Sequence, residues 1–405
     1  MTFHTRQGSA IVAGTFDTKS DELNYIATHL RSAGIAVQTV DLSTKLPQSK
    51  TDIAAQEVAA HHPDGAEAVQ TGDRGSAVAA MSIAFENWVQ ENLSSIAGLI
   101  SAGGTGGTAL SSPAMRSLPV GVPKVLISTV ASGDVGPYVG PSDMTMMYSV
   151  TDVQGLNPIS SQVLGNGAAA LAGMISYAPE PANDSDHKTG LGLTMFGVTT
   201  TAVQAITSHL ESDFEPYVFH ATGVGGRSME KLVDGGFIEA VVDTTTTEVC
   251  DFLFGGVFQA TEDRFGAIIR TKVPYVGSVG ALDMVNFGAP PTVPDRYAGR
   301  LFYEHNPQVT LMRTTVEENT EMGKWIVAKL NMMDGPVRFL LPNGGLSALD
   351  APEMPFWDPT AREALYDAIR SGFQETENRK IVETSHHIND PEFAVLAAEC
   401  LKEIY

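Results

Sequence analysis

Ile96-Ala97-Gly98-Leu99-Ile100-Ser101-Ala102-Gly103-Gly104-Thr105-Gly106-Gly107-Thr108-Ala109 decides the fold class of this chain. The apolar run Ile96 to Ile100 reads as a buried strand, and a helix start lies just beyond Thr108. Four glycines and two threonines between them build no core. They offer backbone N–H groups with no Cβ in the way, hydroxyls beside them, and the positive end of a helix. A strand, a glycine loop and a helix in that order form an anion cradle of the kind found at sheet edges in α/β folds. The spacing matches neither GxGxxG nor GxxxxGK[ST], so it specifies phosphate or carboxylate and no particular ligand. A tight structural turn is the competing explanation.

The same alternation continues on either side. Ser9 to Gly14 is a short buried strand. Leu23, Ile26, Ala27 and Leu30 share one helix face, with Ser20 as the expected N-cap and Gly34 as the stop. Ile35 to Val40 is the next strand, a short helix lies near Asp52 to His61, and Val78, Met81, Phe85 and Trp88 mark a longer helix. Val125 to Ser128 is a further strand. Nearly continuous apolar strands separated by helices imply a parallel sheet covered on both faces.

A Pro-rich polar break follows and is read as a linker over 179–190, between a first domain at 1–178 and a second at 191–405. Beyond it the pattern restarts. Leu191 to Val198, Tyr217 to Phe219, Ile238 to Val242 and Val337 to Leu341 are strands, and Thr222 to Arg227 forms a second glycine-rich turn. The fold class expected is α/β, with two Rossmann-like, doubly wound parallel-sheet domains and a cleft between them. In such sheets ligands lie at the carboxyl ends of the strands.

Length and composition agree. At 405 residues the chain exceeds one ordinary core. Its 47 acidic against 25 basic residues give a net charge of −22, which disfavours nucleic acid and anionic membrane as partners. An anionic ligand therefore needs a locally basic site. Cys250 and Cys400 are too few for a disulfide framework or a thiolate metal site. With no signal peptide and no long apolar run, the expectation is a cytoplasmic protein. HExxH, CxxC and GxSxG are all missing from the sequence, so zinc and serine hydrolysis rank low.

Several polar groups fall at strand ends. Thr15, Asp17, Thr18 and Lys19 follow the first strand; there Asp17 is placed to hold Mg²⁺ or a hydroxyl and Lys19 a phosphate, unless Asp17 or Thr18 only caps a helix. Asp73 and Arg74 offer a second charged pair beside a helix start, either in the site or on the surface. In the second half, His220 is a candidate acid or base, Arg227 and Arg313 are candidate carboxylate clamps, and Glu248 is a candidate proton carrier. Asp243 to Glu248 puts six polar side chains directly after a strand, a pattern suited to a ligand rim.

GTFDTK at Gly14 to Lys19, DRG at Asp73 to Gly75, SAGGTGGT at Ser101 to Thr108 and HATGVGGRSME at His220 to Glu230 occur in one fixed order. So do DTTTTEV at Asp243 to Val249, GALDMVNFG at Gly280 to Gly288 and HNPQVTLMRTT at His305 to Thr315. Together they resemble an uncharacterised bacterial protein family that also forms the N-terminal domain of the tomato mosaic virus resistance protein. The resemblance spans essentially the whole chain. It implies two Rossmann-like domains, ATP binding by the first and a homodimer. It puts the nucleotide at Thr15, Asp17, Thr18 and Lys19 and on Gly103, Gly104, Thr105, Gly106, Gly107 and Thr108. It implies no catalytic role for the second domain.

The leading expectation is a protein that binds ATP, with or without Mg²⁺, or a related phosphorylated ligand, in the cleft between the two domains. Two others stand beside it. One is an enzyme acting on a small carboxylate or keto acid through His220, Arg227 and Glu248. The other is a non-enzymatic regulatory protein that responds to nucleotide.

Overall fold

The computed structural model describes residues 3–45, 50–179 and 188–405. The chain divides into two compact units, Met1–Ala182 and Asn183–Tyr405.

In the N-terminal unit the strands are β1 (Ser9–Gly14), β2 (Val37–Asp41), β3 (Ile96–Gly103), β4 (Lys124–Ser128) and β5 (Thr145–Tyr148). The main helices are α1 (Phe16–Ser32), α2 (Arg74–Glu91), α3 (Thr105–Ser117) and α4 (Pro158–Ser176). The five strands are parallel and lie in the order β2-β1-β3-β4-β5. The order reverses between β1 and β3. There the connections leave toward opposite faces of the sheet and open a crevice at the carboxyl ends of the strands.

Strand alternation sorts the core into two layers. Ala10 and Val12 pack with Leu23, Ile26 and Leu30 of α1 and Leu171 of α4. Ile11 and Ala13 face the other way, onto Met81, Phe85 and Trp88 of α2 and Leu110 and Met115 of α3. Each of the large apolar side chains is almost wholly removed from water, worth about 1.5–3 kcal/mol apiece.

Two boundaries differ from the sequence expectation, and both bear on the site. Helix α1 begins at Phe16 with Thr15 as its N-cap, ahead of the expected cap Ser20. Lys19 takes φ −128°, ψ 24°, which sets off the first turn, so regular helix starts near Ser20, where periodicity places it. The glycine stretch is also shorter as a loop than its composition suggests. Strand β3 runs through Gly103 and α3 starts at Thr105, so Gly104 alone joins them.

Of the expected linker, residues 180–187 lie outside the described residues. Ala178–Pro179 pairs antiparallel with Phe3–His4, and Thr189 and Gly190 already belong to a strand of the second unit.

The C-terminal unit repeats the plan on a larger scale. Its strands are β6 (Thr189–Met195), β7 (Phe214–His220), β8 (Ala240–Thr245), β9 (Tyr275–Gly280), β10 (Met284–Phe287), β11 (Phe302–Asn306), β12 (Val309–Arg313), β13 (Val337–Pro342) and β14 (Arg379–Thr384). Its helices are α5 (Thr200–Leu210), α6 (Val224–Asp234), α7 (Glu248–Phe254), α8 (Gly266–Thr271), α9 (Val316–Leu330), α10 (Pro359–Gly372) and α11 (Pro391–Ile404). A parallel six-stranded sheet runs β7-β6-β8-β9-β13-β14. Between β9 and β13 the chain inserts an antiparallel sheet, β10-β12-β11, which periodicity does not signal.

Candidate functional site

The switch point of the N-terminal sheet holds a cavity of about 470 Å³, within the usual size of small-molecule sites. Two loops form its rim and one buried carboxylate ties them. Asp41, at the end of β2, accepts hydrogen bonds from the N–H of Phe16 at 3.2 Å and of Ser43 at 2.9 Å. Ser43 Oγ in turn accepts from Asp17 N–H at 3.0 Å. The turn after β1 and the turn after β2 are thereby held together, which brings Thr15, Asp17, Thr18 and Lys19 beside Thr44 and Lys45 on the cavity wall. Asp41 is not among the sequence candidates, since a strand-end carboxylate has no local signature of such a tie.

The opposite wall is the β3–α3 junction. Gly103 through Gly107 line the cavity, with Arg74 and Asp152 beside them. Gly104 caps α3 without a side chain, so the first N–H groups of the helix have no intrahelical partner. The turn needs no unusual backbone, because none of these glycines has positive φ. Nor does packing demand them all. A Cβ on Gly104, Gly106 or Gly107 would meet nothing nearer than 3.7 Å. Gly106 and Gly107 lie within a helix, where glycine is up to about 1 kcal/mol worse than alanine. The fold gains nothing from their bareness, whereas the cavity gains direct access to backbone.

Among the described residues three cations reach this cavity: Lys19, Lys45 and Arg74. They are set against the carboxylates of Asp17 and Asp152. The Lys19 ammonium also donates to the Val153 carbonyl, which fixes it at the rim. In a chain of net charge −22, cations outnumber carboxylates on this cavity's wall three to two. Lys45 and Asp152 are not foreseen from sequence. Lys45 could be found by placing β2 next to β1, which brings its carboxyl-end loop to the same edge.

Two expected ligand residues have other roles. Thr108 is buried, its Oγ1 bonded to Gly104 O at 2.9 Å and 2.6 Å from Ser128 Oγ, so it braces α3 against β4. Asp73 accepts from Ser76 N–H at 2.9 Å as the N-cap of α2, and that bond holds its carboxyl below the usual range. Its neighbour Arg74 is the member of the pair that lines the cavity.

The second glycine turn, Gly223 to Gly226, is closed. Glu248 Oε1 accepts from Gly223 N–H at 2.9 Å and Gly226 N–H at 3.0 Å, so the chain supplies its own anion. Glu248 Oε2 lies 3.1 Å from Arg264 Nε, and the same guanidinium meets Asp243 at 2.7 Å and Glu230 at 2.9 Å. Arg264 is 2% exposed. Tyr275 Oη and Thr194 Oγ1 complete Asp243. Burial raises the Glu230 carboxyl, against the pull of Arg264. Glu248, expected to move a proton, is inaccessible and bonded on both oxygens.

The remaining candidates of this unit divide. Asp243 to Glu248 is wholly buried rather than a rim, bonded inward through Thr199, Ser278, Asn286 and Arg264. Arg313 is also buried and donates to the carbonyls of Phe356 at 2.7 Å and Thr314 at 2.9 Å. Arg227 turns its Nε back onto Gly223 O at 3.2 Å. Only His220 stays exposed beside a cavity, and there it is joined by His305, which lies on the inserted sheet. Nearby, burial pushes Asp251 up to about 7, against hydrogen bonds from Asn286 and Phe258. Burial and the neighbouring Asp350 charge likewise raise Asp283 to about 7.

Among the described residues no three His, Cys, Asp or Glu side chains converge as a metal-binding group, and no helix is long and apolar enough to cross a membrane. Asp17 is exposed on the cavity wall, open to a cation that arrives with a ligand.

Comparison with known proteins supplies the family. Residues 8–180 match the model of the uncharacterised protein family (UPF0261) N-terminal domain, and residues 188–405 match that of its C-terminal domain. A UPF0261 protein of Rhizobium meliloti is 54% identical over 394 residues, covering 97% of this chain and 98% of that protein. The ToMV resistance protein Tm-1(GCR237) of Solanum lycopersicum is 44% identical over 414 residues, covering 96% of this chain and 55% of that protein. The structure of UDP-N-acetylglucosamine 2-epimerase from Rickettsia bellii covers 99% of this chain and 96% of its own at 9% identity, but its TM-score of 0.22 is too low to inform fold or chemistry. With both domain models matched in order along nearly its full length, the chain belongs to the uncharacterised protein family UPF0261.

Proposed function

We propose that the N-terminal unit binds ATP, or a closely related phosphorylated ligand, in the switch-point cavity. The observation that carries this reading is the first turn of α3. Gly104, Gly106 and Gly107 are bare where the fold has room for side chains, and they line a cavity that Lys19, Lys45 and Arg74 also reach. Helix N–H groups without intrahelical partners and an excess of cations over carboxylates on the wall favour a multiply charged anion over a neutral metabolite. Phosphate oxygens would lie against the Gly104–Gly107 backbone, with Arg74 and the two lysines neutralising charge. Mg²⁺ arriving with the nucleotide would be met by Asp17 and Asp152, and would offset phosphate charge while retaining some of its water.

A carboxylate-processing enzyme built on His220, Arg227 and Glu248 has less support, because Glu248 is buried with both oxygens bonded, Arg227 turns back onto Gly223 O, and the alternative clamp Arg313 is committed to backbone carbonyls. Isothermal titration with ATP, with and without Mg²⁺, tests the proposal. Saturable heat from the full chain is expected, with Arg74→Ala weakening affinity about tenfold or more. Silence at millimolar ATP in both conditions would overturn it.

A further inference from the structure

The C-terminal unit carries a separate cavity that the nucleotide reading does not use. It lies at the carboxyl edge of the six-stranded sheet, the edge that hosts ligands in this architecture. Phe196 follows β6, His220 ends β7, Phe258 comes after α7, and His305 and Asn306 reach in from β11 of the antiparallel insertion. Four segments distant in sequence thus converge on a space of about 190 Å³. That is smaller than ordinary nucleotide or drug sites.

Its chemistry differs from that of the first cavity. Among the described residues no Lys, Arg, Asp or Glu lines it, and the nearby glycine turn is already filled by Glu248. The second negative charge of a phosphate would find no counter-charge among these lining residues. What the cavity offers is aromatic surface and neutral donors. The Phe196 ring lies 5.2 Å from the His220 ring and 6.1 Å from the Phe258 ring, centroid to centroid. Asn306 Oδ1 accepts from Gln308 N–H at 2.9 Å, which leaves the amide NH₂ as a donor. His220 and His305 are exposed and make no side-chain hydrogen bond among the described residues.

The geometry points to a second binding site, which takes a small monocarboxylic acid with a compact apolar or aromatic body. The body packs on Phe196 and Phe258. The carboxylate or an adjoining carbonyl receives hydrogen bonds from the two imidazoles and the Asn306 amide.

The test is a titration of the full chain with benzoate, isovalerate, pyruvate and inorganic phosphate, followed through the imidazole ¹H–¹³C resonances. At least one acid is expected to shift both His220 and His305, with phosphate shifting neither. His220→Ala and His305→Ala should each weaken that acid about tenfold or more and leave the ATP titration unchanged. Both positions are exposed, so the variants should fold. Three outcomes would each overturn the site: no acid moves either imidazole at millimolar concentration, phosphate acts as well as the acids, or affinity survives both substitutions. None of these bears on ATP binding, which has its own readout.

Discussion

The two glycine turns look alike as sequence and are opposites as structure. In the N-terminal unit Gly104, Gly106 and Gly107 border open space, and an added Cβ would find no atom nearer than 3.7 Å. In the C-terminal unit a Cβ on Gly225 would fall 1.8 Å from His220 O, and one on Gly226 would fall 2.1 Å from Glu248 Oε2. Gly223 adds a φ of +76°. The second turn needs glycine for packing, since a carboxylate of the chain itself fills the nest. The first turn has no such need, which leaves room for an external anion. A glycine-rich helix start is able to hold an anion, and in the C-terminal unit the fold supplies that anion as a side chain.

The sharpest way to break this comparison is to unbalance the closed turn. Arg264→Met leaves Glu230, Asp243 and Glu248 buried without their cation, and removing one partner of a buried ionic group costs about 3–5 kcal/mol. Urea denaturation followed by circular dichroism should show the C-terminal unit destabilised by at least that much; a near-neutral result would mean the cluster carries no weight. Gly226→Ala forces a Cβ onto the Glu248 carboxylate, and a loss of about 1–3 kcal/mol is expected in the same measurement.

The closed unit also has a pH signature. Asp251 titrates near 3.8 in the unfolded chain and at about 7 when folded, because burial disfavours its charge. Between those values the folded state keeps a proton that the unfolded state has released. This group's contribution to stability is therefore full below pH 3.8, falls as pH rises, and is lost above about 7. Asp251→Asn, neutral throughout, should flatten the pH dependence of the urea midpoint across that window. An unchanged slope would show that Asp251 does not titrate there.

The open turn should answer in the reverse sense. Gly106→Ala is expected to leave stability unchanged or raise it by up to about 1 kcal/mol, while ATP affinity falls because a methyl group enters the cradle. Lost stability together with unaltered affinity would move Gly106 into the class of Gly226. The smallest effect separates neighbours: Asp73→Ala should lower the melting temperature slightly through loss of the α2 cap and leave ATP affinity intact, whereas Arg74→Ala should do the converse.

Much of the fold is legible in the sequence because burial on both faces of a parallel strand leaves an apolar run, and helices covering it leave a stripe. The residues of β1, β3, β4, α1 and α2 carry those marks. The inserted β10-β12-β11 sheet leaves no such mark, since its strands are short and β11 is largely exposed. At the ends of the linker Pro179, Thr189 and Gly190 belong to strands, because Pro and Gly punctuate strand ends as well as domain ends. At the N-terminal cavity, Thr15 to Lys19 and Gly103 to Gly107 can be paired by sequence reasoning alone, as both follow neighbouring strands. Thr108 and Asp73 cannot be excluded that way, because hydroxyls and carboxylates serve equally as ligands or as braces. Nor can His305 be joined to His220, since that meeting depends on where the insertion returns over the sheet.

By itself the sequence determined the layered α/β class, the strand-end edge where the cavities open, and the two turns able to hold an anion. These follow from local rules: strand and helix periodicity, the bareness of glycine, and the free N–H groups of a helix start. Only the tertiary structure decided that Glu248 fills one turn while Lys19, Lys45 and Arg74 surround the other. The physical reason is range. A backbone nest is made by a few consecutive residues, but its occupant is set by charges that come from other strands and meet only once the sheet has formed.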